Sequence, residues 1–267
     1  MAIRNIEPRA QKIRAGRLGG LARVAIHGNP GTTIGRRLGG LHSLKTHQLR
    51  NTGFKMLKLV RLPPHSTDLA ELLGILAGDG HVDTYQVTMT TNSNTDLEHA
   101  RHTSILFKKL FHVDAPIKFK KAKNACMVVV SSRAICDFLV KNGMIRGNKV
   151  KLQLSVPPWV RSRRNYRLAF LRGLFDTDGC VYVDVHRIKG RTYKNVGMAF
   201  TNRSLPLLVG FKKSLERIGL HPTQKSKYTV FLRRERDIQR YFAVVGSSNP
   251  KQLRKISVYF SLKGGVG

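Results

Sequence analysis

Acidic side chains are the scarce component of this 267-residue sequence: 15 Asp and Glu stand against 48 Lys and Arg, for a formal net charge of +33. That excess is far beyond what solubility requires and predicts a polyanionic partner, nucleic acid first and an anionic membrane surface second. Cysteine is scarcer still. Cys126, Cys136 and Cys180 form no CxxC pair and are odd in number, which argues against both a disulfide framework and a zinc site. His99 and His102 have HxxH spacing, but no second ligand pair follows, so they are expected on a helix surface. No apolar run approaches the roughly 18 residues of a membrane span, so none is expected. Ten prolines and 24 glycines are not the composition of a disordered chain. The length allows one large or two modest domains with a real core.

With so few acids, their location carries information. Five of the 15 (Asp79, Asp83, Asp176, Asp178 and Asp184) lie at or just after two related stretches. One is Leu72-Leu73-Gly74-Ile75-Leu76-Ala77-Gly78-Asp79-Gly80; the other is Leu171-Arg172-Gly173-Leu174-Phe175-Asp176-Thr177-Asp178-Gly179. Each reads as a helix ending in a carboxylate and a glycine, so the chain reads as one unit written twice. Asp68 and Glu71 have the spacing of a capping box before the first copy. Its apolar residues run too densely for a surface helix, which predicts burial on most sides. Gly74 and Gly78, four apart, share one helical face where another backbone can come close; Gly173 and Thr177 occupy the same places in the second copy. Gly80 and Gly179 are expected to stop the helices in a left-handed conformation. Asp79 and Asp178 then project from adjacent helix C-termini. That placement is electrostatically poor, because each acid meets the negative end of a dipole and the other acid. A divalent cation would compensate both, and oxygen ligands of this kind suit Mg²⁺.

The paired nonapeptides resemble the signatures of LAGLIDADG homing endonucleases in their single-chain, two-repeat form, over roughly residues 66 to 263. The resemblance implies an α+β fold of two pseudo-symmetric αββαββα-like repeats, each with a saddle-shaped antiparallel sheet, joined at a two-helix interface. It places the metal-binding acids at Asp79 and Asp178, with Gly78 and Thr177 beside them in the metal set, and Mg²⁺ as cofactor with Mn²⁺ as substitute. Asp176 matches the earlier Asp of the motif, where the first copy has Ala77. Lys149, and more loosely Lys251, match a basic residue that assists near each acid; an ordinary phosphate contact is the alternative role for either. Thr91, Asn92, Thr201 and Asn202 fall near a further polar pocket position. The implied activity is site-specific hydrolysis of double-stranded DNA, one strand per acid, by a monomer with no membrane partner. Two alternatives stay open: an RNA-binding maturase acting on a host intron RNA, and a non-cleaving DNA-binding regulator, whose mark would be loss of the acids. No recognisable protein-splicing ends flank the motifs, so an intron-encoded or free-standing frame is expected rather than an intein.

In chain order, three segments are expected: a basic extension (1–65) that possibly contacts DNA, a first repeat (66–160) and a second (161–267). The extension has 13 Lys and Arg against one acid, Glu7, and repeats Gly-Arg-Leu-Gly-Gly-Leu at Gly16 as Gly-Arg-Arg-Leu-Gly-Gly-Leu at Gly35. Between the copies, Gly28-Asn29-Pro30-Gly31 reads as a turn. This predicts two short basic helical elements suited to phosphate contacts. The same composition also resembles an organelle transit peptide, so a cytoplasmic or nucleoid location has the organelle matrix as its alternative. Alternation predicts strands over 83–91, 117–121, 181–186, 196–200 and 227–232 and an apolar strand over 126–130. Helices are expected over 96–111 (buried side Leu97, Ile105, Leu106 and Leu110), 133–141, 205–218 and 236–245. One face of each sheet is then free to enter a major groove. Gln86, Thr88, Thr90, Lys118, Lys120, Tyr182, His186, Lys225 and Lys227 are its candidate DNA contacts, each with a solvated strand face as the plainer reading.

Overall fold

The computed structural model describes residues 9–29, 31–50, 60–120 and 123–264. The chain divides into two compact units, Met1–Leu57 and Lys58–Gly267.

The first unit is a hairpin of α1 (Arg9–His27) and α2 (Thr33–Arg50). Gly28 turns the chain with φ +73°, a left-handed value that favours glycine. Thr32 then accepts a hydrogen bond from the Gly35 N–H at 3.0 Å and starts α2. A Cβ at Gly35 would lie 1.6 Å from the Asn29 carbonyl oxygen, so this glycine lets the turn backbone fold against the first turn of α2. Pro30 of the expected turn lies outside the described residues.

The second unit is built from one motif used twice. The first copy runs α3 (Thr67–Gly78), β1 (Gly80–Val82), β2 (Gln86–Asn92), α4 (Leu97–Phe111), β3 (Ile117–Phe119), β4 (Ala125–Ser131) and α5 (Arg133–Lys141). After a short α6 (Pro158–Ser162), the second runs α7 (Arg164–Asp178), β5 (Gly179–Ile188), β6 (Arg191–Thr201), α8 (Leu205–Arg217), β7 (Thr223–Ser226), β8 (Thr229–Leu232) and α9 (Glu235–Val244). Each copy makes a four-stranded antiparallel sheet, in the orders β1-β2-β4-β3 and β5-β6-β8-β7. The fold is α+β, two αββαββα repeats related by the same connectivity.

Helices α3 and α7 pack against each other along their glycine faces. A Cβ on Gly74 would stand 2.3 Å from the Phe170 carbonyl oxygen, and one on Gly173 would stand 2.3 Å from that of Glu71. The two backbones therefore touch where side chains are missing, and Leu69 to Ala77 of α3 are buried throughout. Around this pair the core closes under each sheet: Val87, Met89, Val128 and Val130 meet α4 and α5, while Val196, Met198, Phe200, Val230 and Leu232 meet α8 and α9. Phe200 stacks on Phe211 with ring centroids 3.8 Å apart.

Several expectations need correction. The N-cap of α3 is Ser66, which accepts from the Leu69 N–H at 3.2 Å; Asp68 pairs with Lys109, and Glu71 is buried between helices instead of closing a capping box. Gly80 and Gly179 do not have positive φ. They are glycines because a Cβ would come 2.5 Å from the Leu76 Cα and 2.1 Å from the Phe175 ring. The strand expected over 83–91 begins only at Gln86, because residues 83–85 form the turn from β1, with the Asp83 N–H bonded to Gln86 O. Residue 121 of the next expected strand lies outside the described residues. The strands expected over 181–186 and 196–200 both run longer, because the chain turns between them on Lys189-Gly190 alone, both with positive φ, as a two-residue hairpin requires. Ile105 is 63% exposed, so the buried side of α4 is instead His99, Ala100, Thr103, Leu106, Phe107, Leu110 and Phe111. His99 is accordingly in the core and not at the surface. A final helix, α10 (Pro250–Gly264), follows where none was expected; Gln252 fastens it to β5 by accepting from Val181 N and donating to Gly179 O. Among the described residues no helix is long and apolar enough to cross a membrane.

Candidate active site

Because α3 ends at Gly78, just before Asp79 and β1, and α7 ends at Asp178, directly before β5, these two acids stand where the helix pair meets the two sheets. The Asp79 N–H closes α3 onto Ile75 O at 3.1 Å, and its side chain is half-buried with no hydrogen-bond donor among the described residues. Burial, with the Asp178 charge adding to it, pushes Asp79 up to about 7. Asp178 is raised by burial to about 6, held back by a 2.6 Å hydrogen bond from Asn202 Nδ2 and by Lys149.

Lys149 is the cation of this site. Its Nζ donates to the carbonyls of Leu76, Ala77 and Gly78 at 2.9, 3.0 and 2.5 Å, so it caps the negative end of α3. Burial draws the ammonium down to about 8, against the pull of Asp178 and Asp79. Lys251 is held differently: its Nζ donates to Asp96 Oδ2 at 2.9 Å. Asp96 also accepts from Asn249 Nδ2 at 2.8 Å and Thr95 Oγ1 at 2.6 Å. Lys251 still acts on Asp79 through its charge. Gly78 and Thr177 meet at the close approach, where a Cβ on Gly78 would lie 2.0 Å from Thr177 Oγ1. The Gly78 carbonyl is taken by Lys149, and the Thr177 hydroxyl bonds back to Gly173 and Leu174. Asp176 is buried away from this pair, accepting from Ser247 Oγ and from the Ser248 N–H at 2.7 Å.

Of the polar pocket positions, Asn202 touches Asp178, whereas Asn92 turns back to accept from Asn94 N and Thr95 N. Thr201 meets Thr229 at 3.0 Å, and Thr91 is paired with Cys126 in the sheet. Among the described residues no group of three or more His, Cys, Asp and Glu side chains could hold a metal. The donor set is therefore two carboxylates and nearby backbone oxygens. It fits a hard cation that keeps waters and takes phosphate oxygens, and does not fit zinc.

The register sorts the sheet residues. Gln86, Thr88 and Thr90 lie on the face of the first sheet opposite the core side chains Val87 and Met89, with Lys118 beside them opposite Met127. His81, paired with Thr88, joins this outward face and was not anticipated. Lys120 follows β3, with its N–H on Ala125 O. In the second sheet Tyr182 and His186 point outward. Tyr182 lies over Gly197, whose missing Cβ makes room for the ring, and His186 stacks on Tyr193 with centroids 5.7 Å apart. Lys225 is exposed on β7. Lys227 is not on a strand but in the β7–β8 turn, over the Tyr228 ring. Arg233, just past β8, stacks over Phe231 at 4.9 Å and extends this surface.

Sequence reading missed a second polar cluster between the repeats. Glu71, with a side chain 4% exposed, pairs with Arg172 and accepts or shares a proton with His102 Nε2 at 2.8 Å. Burial pushes its carboxyl up, but the His102 and Arg172 contacts outweigh this and hold it at about 2. The signal available was one acid inside an apolar run and one arginine inside its repeat.

Residues 165–255 match the family described as LAGLIDADG-like domain. The match falls on the second repeat, and the first repeat has the same connectivity. The chain's fold is that of I-LtrWI, a LAGLIDADG homing endonuclease bound to target DNA (TM-score 0.51, 12% identity, 74% of this chain and 92% of that one). I-SmaMI, bound to uncleaved DNA in the presence of calcium, superposes to the same degree (TM-score 0.51, 12% identity, 74% and 92%). In sequence, the chain is 25% identical over 205 residues to the ribonucleoside-diphosphate reductase NrdEB subunit alpha of Bacillus subtilis (strain 168), covering 70% of this chain and 18% of that subunit. It spans 10% and 23% of two further curated relatives.

Proposed function

We propose that this protein is a site-specific double-stranded DNA endonuclease of the homing type, cutting one strand with each half of the helix-pair site. The observation that carries the reading is the pair Asp79 and Asp178: two half-buried acids at packed helix ends, with no lysine or arginine among the described residues at ion-pair distance. A folded chain gains nothing from that arrangement by itself, whereas a divalent cation and a phosphodiester would use it. Asp79 and Asp178 would hold the cation, Mg²⁺ first and Mn²⁺ as substitute. When bound it supplies Lewis acidity towards the phosphoryl oxygens.

The chain's own residues do the rest. The outward faces of the two sheets, through Gln86, Thr88, Thr90, Lys118, Lys120, Tyr182, His186 and Lys225, lie along the duplex and set its register. Lys227, from its turn, reaches a phosphate. Lys149, its three N–H donors engaged by the α3 carbonyls, keeps its positive charge beside both acids, where it offsets the charge that develops on the phosphoryl oxygens. Asn202 fixes the orientation of Asp178. The α1–α2 hairpin has nine Lys and Arg and no acid between residues 9 and 50, and would supply phosphate contacts of its own.

The test is cleavage selection on a randomised duplex library with Mg²⁺, beside Asp79→Asn and Asp178→Asn. Defined double-strand cuts by the parent, and nicks or nothing from each variant, are expected. Tight binding without cleavage would overturn the nuclease reading in favour of a regulator, or of a maturase if a host intron RNA binds more tightly than DNA.

A further inference from the structure

Asp184 is the only carboxylate in the eight strands of the two sheets. It lies in β5 between Tyr182 and His186, on the outward face, directly across from Asn195 of β6. Its side chain is 64% exposed, and its nearest ionic neighbour is His186 Nδ1 at 3.7 Å, too far for a hydrogen bond. No described residue donates a hydrogen bond to it. Other acids of this basic chain are treated differently: Asp68, Glu98, Asp114, Asp137 and Glu216 each sit against a lysine or arginine. A negative charge with no lysine or arginine against it, on a surface that meets phosphates, weakens binding to every sequence. It is tolerable there only if a donor on the ligand offsets it, and the donors a DNA duplex offers in its major groove are the exocyclic amines of cytosine and adenine. Adenine presents its amine beside the N7 lone pair, which repels a carboxylate; cytosine has no acceptor on that side.

On the reading that this chain binds duplex DNA through its sheets, we infer that Asp184 is a base-reading residue: its carboxylate accepts a hydrogen bond from the N4 amine of a cytosine in the half of the target under the second sheet. Asn195 beside it carries both a donor and an acceptor, and is placed to read the adjoining step.

The experiment is site selection by binding on a randomised duplex library in Ca²⁺, comparing the parent with Asp184→Asn and Asp184→Ala, with thermal melts confirming that these exposed-site variants fold. The parent should enrich cytosine at one position. Both variants should lose that preference by about 5- to 150-fold, the size of one good base contact, while non-specific binding at low salt tightens. A parent profile that the variants reproduce overturns the Asp184 assignment and leaves the endonuclease reading standing. Relaxation at a position where the parent prefers a base other than cytosine overturns the cytosine assignment. A parent that enriches no sequence at all overturns the DNA reading, and the inference with it.

Discussion

The two repeats share a backbone and differ in how they treat their acid. In the first, Asp79 has no donor, while Lys149 from the segment after α5 grips the carbonyls of α3. In the second, Asp178 accepts from Asn202, and the corresponding lysine, Lys251, is drawn off by Asp96 of the other repeat. The exchange is reciprocal. The segment after α5 bonds to the second repeat through Gln153 to Leu205 N and Ser204 to Leu154 O; the segment before and within α10 bonds to the first through Asn249, Lys251 and Arg254. Duplication has preserved the scaffold, because helix contact and sheet register leave little freedom. The half-exposed polar positions around each acid have diverged, since many arrangements there are compatible with the same backbone.

The largest effect expected is on chemistry. Asp79→Asn and Asp178→Asn should each lower double-strand cleavage by roughly 100-fold or more, the scale on which loss of one electrostatic stabiliser acts, and they should leave nicks in opposite strands. Nicking of the same strand by both variants would break the one-acid-per-strand comparison. Lys149→Met should lower cleavage by about 100-fold, as for loss of one electrostatic stabiliser. Lys251→Met should cost less activity and instead destabilise the fold by about 1–3 kcal/mol, because Asp96 loses a partner while buried. Strand-resolved rates and urea midpoints separate the two lysines.

The helix contact is the part in which the repeats should behave alike. Gly74→Ala and Gly173→Ala each put a methyl 2.3 Å from a carbonyl oxygen of the partner helix, and each should cost about 3 kcal/mol or more, at the upper end of overpacking penalties. Unequal losses in denaturant unfolding would show that one helix yields more than the other.

Glu71 belongs to the first repeat alone, for Phe170 stands at its place in the second. Its carboxyl is held at about 2 against an ordinary 4.5, a depressed folded-state value. It therefore contributes stability that is complete above about pH 4.5 and is lost as pH falls towards 2, in all about 3 kcal/mol. Glu71→Gln should remove that slice of the acid sensitivity, read as the difference between variant and parent unfolding free energies across this window.

Sequence alone carried the duplication, the glycine contact and the acids because each rests on a rigid local rule: a period, a missing side chain, a charge at a helix end. Helix α10 escaped because, with only Ile256 and Tyr259 among its described residues buried as hydrophobics, it has little apolar stripe to read. The roles of Asp96 and Glu71 escaped because their partners, Lys251 and Arg172, lie 155 and 101 residues away. The burial of His99 escaped for a related reason: a period of 3.6 admits more than one buried face on α4, and packing chose the one that hides His99 and exposes Ile105.

The smallest effects separate Asn92 from Asn202, which occupy matching positions after Thr91 and Thr201. Asn92 accepts from two backbone N–H groups of the turn leading to α4, a capping role. Asn92→Ala should therefore cost about 1 kcal/mol of stability and leave strand-cutting rates unchanged. Asn202 also accepts from a turn N–H, that of Ser204 at 2.7 Å, but its amide faces Asp178. Asn202→Ala should cost a similar amount of stability and additionally slow the strand served by Asp178, by about 10-fold for one hydrogen bond to a charged group. Asn202→Ser keeps a turn acceptor while removing the amide that reaches Asp178, so it should restore the stability and not the rate. If instead the rate returns with the stability, Asn202 acts only as a turn residue, and the two repeats treat their acids more alike than their hydrogen bonds indicate.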